Sequence, residues 1–179
     1  MNFKKSIKAQ AALEFLTTYG WAFLIILIMI GTLAYFGILN PVKLVPDRCN
    51  FASEFQCGAY RIREGGSGVA DEFRFSLKNN VGEAITVIAA PDMRITNEAG
   101  TVNFITGTCT LTPARPFSWN PGESREFVLT GTGDACAFAT NGMTPASKGK
   151  LLIEINYYKS ASGTSYNTIA RGEIVASVT

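Results

Sequence analysis

Histidine is absent from all 179 residues. That removes the commonest general base and the commonest metal ligand together. No N-x-[ST] triplet occurs, so the chain has no acceptor for N-glycosylation. None of the four cysteines stands in a C-x-x-C pair, so a zinc site would need unusual spacing and four thiolates. There is no basic stripe and no cluster of arginines among aromatics, which excludes a nucleic-acid partner. The net charge is only +2, from 16 basic and 14 acidic residues. Three of the basic ones, Lys4, Lys5 and Lys8, fall in the first nine positions; the remainder is close to neutral. Constellations for catalysis are missing as well. The serines have no histidine to activate them. Asp71 and Glu72 are adjacent on a strand-like stretch, so they point to opposite faces and cannot flank one bond. Gly65-Gly66-Ser67-Gly68 lacks the lysine and the helix of a phosphate-binding loop and reads as a flexible turn. We therefore expect no catalytic residue, no metal and no cofactor, and we do not expect an enzyme.

Charge is also missing between Phe15 and Val42, and here the absence marks what is present. From Trp21 to Leu39 the sequence WAFLIILIMIGTLAYFGIL is continuously apolar or small. A helix from Gln10 to Leu39 would be about 45 Å long, more than the ~30 Å of a bilayer core. Apolar residues occupy every face of it, so it is not the amphipathic helix of a soluble domain. Each fully buried Leu, Ile or Phe is worth about 1.5–3 kcal/mol, so the segment belongs in lipid or in a bundle of its own kind. Asn40-Pro41 supplies a stop, because the residue before proline disfavours helix. The lysines ahead of the run keep the start cytoplasmic and send the rest outward. The end of the run offers no small-x-small pair for a conventional signal peptidase, so the helix is retained. One acid, Glu14, stands at its brink. It either complements the positive end of a helix dipole or serves a site that needs a negative charge beside apolar surface.

Lys8-Ala9-Gln10-Ala11-Ala12-Leu13-Glu14, followed by Leu16-Thr17-Thr18-Tyr19-Gly20-Trp21, resembles the class III signal peptide of archaeal type IV pilin-like proteins, the superfamily of pilins and archaellins. Ala12 departs from the serine that many of these carry. The resemblance covers residues 4–40. It implies that a leader, residues 1–9, is clipped on the cytoplasmic side between Ala9 and Gln10, with Lys8 part of the processing site. Gln10 then becomes the new N-terminus and Glu14 the fifth residue. The partners it implies are copies of the same chain in a helical homopolymer, a prepilin-peptidase-like leader peptidase, membrane-embedded pilus assembly machinery, and the membrane before assembly. The mature subunit would lie in a surface filament outside the cell. Physically, the amine of Gln10 on one subunit and Glu14 of a shifted neighbour can each supply the other's partner, an arrangement that sets register more than affinity.

Beyond a linker, residues 41–58, the chain alternates with period two. Glu72 to Lys78 places Phe73, Phe75 and Leu77 on one face, and Lys150 to Lys159 does the same for Leu151, Ile153, Ile155 and Tyr157. Ala84 to Ala89, Glu126 to Leu129 and Tyr166 to Val178 read as further strands. Trp119-Asn120-Pro121-Gly122-Glu123 is a tight turn. The fold expected is a long N-terminal hydrophobic helix, residues 10–40, followed by an antiparallel Ig-like β-sandwich head over residues 59–179. Gly131 to Gly149 reads as a long loop that a disulfide could tether. Beyond a membrane segment, Cys49, Cys57, Cys109 and Cys136 read most naturally as two disulfides, against buried thiols or an unusual metal site. Local closures would pair Cys49–Cys57 and Cys109–Cys136. The function this favours is a structural filament subunit with an adhesive or related surface role. The alternative is a membrane-anchored β-sandwich binding module that never polymerises.

Overall fold

The computed structural model describes residues 4–36, 45–66, 69–88, 93–105, 109–131 and 136–179, with side chains from Ala12 onward. The chain divides into two compact units, Met1–Leu44 and Val45–Thr179. The first is a helix, α1, running from Lys4 to Tyr35. Its 32 residues make it about 48 Å long. It begins six residues before the expected Gln10, because the Lys, Ala and Ile residues at positions 4–9 are compatible with helix and include no breaker. The expected end at Leu39, the Asn40-Pro41 stop and the first part of the linker lie outside the described residues. Thr17, Thr18 and Thr32 donate their hydroxyls to carbonyls one turn back in the same helix. Those hydroxyls therefore need no partner from an apolar surround. Every described side chain from Ala12 to Phe36 is exposed within the monomer.

The second unit is an antiparallel β-sandwich. Its strands are β1 (Arg48–Phe51), β2 (Phe55–Arg63), β3 (Asp71–Asn79), β4 (Ile85–Val87), β5 (Arg94–Asn97), β6 (Thr110–Thr112), β7 (Phe117–Trp119), β8 (Ser124–Gly131), β9 (Lys148–Lys159) and β10 (Asn167–Ser177). One sheet runs β1-β10-β9-β4-β7, with β5 also paired to β9; the other runs β2-β3-β8-β6. The linker expected over 41–58 is thus shorter at its head end. β1 and the start of β2 occupy part of it, because β1 pairs with β10 from Arg48↔Val175 to Phe51↔Gly172.

The alternating residues meet between the sheets. Phe73, Phe75 and Leu77 of β3, Phe127 and Leu129 of β8, and Leu151, Ile153, Ile155 and Tyr157 of β9 are all buried. Phe75 stacks on Phe127 with centroids 5.0 Å apart, and Phe55 stacks on Trp119 at 5.1 Å. Trp119 meets Phe127 at 5.6 Å, which joins the two stacks into one aromatic layer. Offset ring pairs of this kind add about 0.5–1.5 kcal/mol each beyond the area they bury. Asn79, buried at the end of β3, spends its amide on the carbonyls of Glu83 and Trp119 and accepts from the N–H of Val81. The turn at Asn120–Glu123 carries Pro121 and then Gly122 at φ 74°, the positive φ that a type II turn requires at its third position.

Candidate functional site

The candidate site of α1 is its first third. Lys8, Ala9 and Gln10 lie in the helix; their side chains are outside the described ones. Glu14 is exposed, and its backbone carbonyl accepts from the hydroxyls of Thr17 at 3.1 Å and Thr18 at 2.8 Å. Gln10 and Glu14 are four residues apart, so they share one face of the helix. In the full chain Glu14 stands ten residues inside α1, about 15 Å from its start. The dipole acts only over the first turn, so in the full chain it gives Glu14 no reason to be there.

A shallow groove of about 350 Å³ runs along the same stretch, lined by Phe15, Leu16, Tyr19, Gly20 and Phe23. The rings of Phe15 and Tyr19, one turn apart, lie 4.6 Å from centroid to centroid. A methyl group at Gly20 would meet no atom within 4 Å, so the position is open to a neighbour. At ~100° per residue the centre of this groove faces away from Glu14. The helix therefore offers an acid on one side and an aromatic recess on the other. Ala12–Tyr35 is long and apolar enough to cross a membrane.

In the head, disulfides join Cys49 to Cys57 and Cys109 to Cys136. The first staples β1 of one sheet to β2 of the other. The second ties the segment before β6 to the stretch after β8, where Phe138 and Met143 are buried and Ala139–Asn141 forms a turn of 3-10 helix. Asp71 and Glu72 point to opposite faces of β3. Asp71 is buried and accepts from the N–H of Gly65 at 2.8 Å and of Phe138 at 2.6 Å. Gly65 is thus held rather than free, while Ser67 and Gly68 lie outside the described residues. Glu72 lies on the outer face, bridged by Arg61 at 2.6 Å and Arg74 at 2.9 Å. The hydrogen bond from Arg74 leads in holding this carboxyl below its ordinary value; the bond from Arg61 adds to it, and partial burial opposes. Among the described residues no group of three or more acids or cysteines is placed to hold a metal. The roles of Asp71 and Asn79 left no mark in the sequence, since each depends on a loop that returns from far along the chain.

No protein-family model and no curated protein matches the chain. Among solved structures it is similar to the periplasmic chaperone SfaE, with 15% identity over 69% of this chain and a TM-score of 0.39. The chain spans about half, 56%, of that chaperone's length. It is also similar to a structural-genomics target of 13% identity, with a TM-score of 0.31 over 71% of this chain.

Proposed function

We propose that the chain is the precursor of a structural subunit of a type IV pilus-like surface filament, not an enzyme. The leader, residues 1–9, is removed between Ala9 and Gln10, and the mature helices pack together with the head outward. What carries this reading is the position of Glu14. It is a lone exposed acid on a retained apolar helix, too deep for a dipole role in the full chain and fifth from the end once the leader is gone. The aromatic recess around Gly20, on the opposite side, gives a neighbouring helix room to approach. Two disulfides and the flanking lysines fit a head outside the cell. Partners follow from assembly: copies of the chain, a leader peptidase and a membrane-bound assembly machine.

The intact mass of the mature protein tests processing; loss of nine residues is expected, and retention of Met1 or Lys8 overturns it. Glu14→Ala is expected to leave membrane insertion and leader removal unchanged while abolishing filaments under the electron microscope. Normal filaments from that variant would remove Glu14 from the assembly. A processed, well-inserted wild-type chain that stays monomeric in lipid would instead support the non-polymerising anchored module.

A further inference from the structure

The turn from β1 to β2, the end of β9 and the start of β10 enclose an open cavity of about 440 Å³ on the head. Its existence follows from strand lengths. β1 stops pairing at Phe51↔Gly172, so the earlier part of β10, including Thr168, has β9 as its one strand neighbour. The chain then turns through Ser53 and Glu54 instead of continuing along that edge, and the N–H of Asn80 holds the Glu54 carbonyl at 2.8 Å.

The lining is a mixed set of donors and acceptors. Tyr157, only 2% exposed, lies at the back, and Lys159 and Thr168 stand on the two long strands. Ser53, Glu54 and Asn80 close the other side. Lys159 is held by Glu83 at 2.6 Å. Burial, with the nearby charge of Glu54, pushes the Tyr157 phenol up, so it stays a protonated donor. Glu54 is the anomaly: its Oε2 is buried and has no hydrogen-bond partner. A carboxylate oxygen left unmatched is costly, and the terminal torsion of Glu is broad enough to swing it toward the cavity.

We propose that this cavity binds a neutral sugar ring, with Glu54 accepting from ring hydroxyls and Lys159, Thr168 and Asn80 completing the hydrogen bonds. Lys159 is already matched by Glu83, so the lining presents no free cation to hold an anion, while Glu54 keeps an unmatched acceptor for a hydroxyl donor, which favours a polyol. The hydroxyl and amide groups match vicinal hydroxyls, and Val81 offers a small apolar contact to ring carbons. This site is independent of the filament reading, since it uses only the head.

The test is saturation-transfer-difference NMR on the full chain in nanodiscs, free of sugar-based detergent. Probes are glucose, galactose, mannose and N-acetylglucosamine, their methyl glycosides, and n-butylamine as a cationic competitor. At least one sugar is expected to show transfer, weakened about tenfold or more by Glu54→Gln and also reduced by Thr168→Ala. Binding of free sugar and methyl glycoside alike points to the terminal residue of a glycan; binding of free sugar alone points to a soluble sugar. The proposal fails if no sugar binds, if binding is indifferent to both variants, or if butylamine displaces the sugar or binds in its place. Near-ultraviolet circular dichroism shows whether each variant keeps the folded head, and Thr168→Ala, on an exposed position, keeps the test valid should Glu54→Gln unfold.

Discussion

Asp71 is where two loops of the head converge, because its carboxylate takes the N–H groups of Gly65 and Phe138. Asp71→Ala leaves both donors without a partner, one of them buried, and is expected to cost about 2–4 kcal/mol of head stability in denaturant unfolding of the full chain. Glu72, next in sequence, answers to pH instead. Its folded-state value lies below the ordinary 4.5, so its contribution is complete above that pH and is lost as pH falls through the lower folded value. Glu72→Gln should therefore flatten the fall in stability on acidification below about pH 4.5, seen as a smaller shift of the unfolding midpoint. The alternation of β3 placed these two acids on opposite faces, and that much was legible in the residues themselves. Their partners were not, because Phe138 lies 67 positions away from Asp71 in the chain.

At the scale of elements, β3, β8, β9, β10 and the short β4 were readable, whereas the remaining short strands and β2, whose register shifts between Cys57 and Tyr60, were not. β3 and β9 run 9 and 12 residues, enough to repeat a period of two several times. β1, β5, β6 and β7 have three or four residues each and become strands through their neighbours. β1 shows how. Phe51 lies over Gly172 of β10, where an added Cβ would come within 2.4 Å of the Phe51 ring. Glycine there admits the aromatic ring that clips the short strand down. Gly172→Ala is expected to displace Phe51 and destabilise the head by about 1–3 kcal/mol, with faster amide exchange along β1. The stretch from Gly131 to Gly149, expected to be a long loop that a disulfide could tether, is tethered through Cys136 and also buries Phe138 and Met143. Those residues have no period to betray them, since each is inserted singly into the end of the core.

For the whole molecule, the two units differ in what they expose: the described side chains of α1 leave their apolar groups uncovered, whereas the head buries its own in a core. Composition alone made that division visible, because charge vanishes over one stretch and returns after it. The disulfides matter only to the head. With sequence separations of 8 and 27, loop closure gives about 2.5 kcal/mol for Cys49–Cys57 and about 3.5 for Cys109–Cys136. Paired Cys→Ala variants should follow that order in chemical unfolding, and reductant should lower the stability of the wild-type head. The first bridge has one more effect. A pull arriving along the chain from the helix enters the head at β1, a strand of four residues that hydrogen bonds alone would surrender early. Cys49 passes that load through a covalent link to β2 and so into the opposite sheet. Past Cys49 the tension is therefore borne by both sheets rather than by β1 alone.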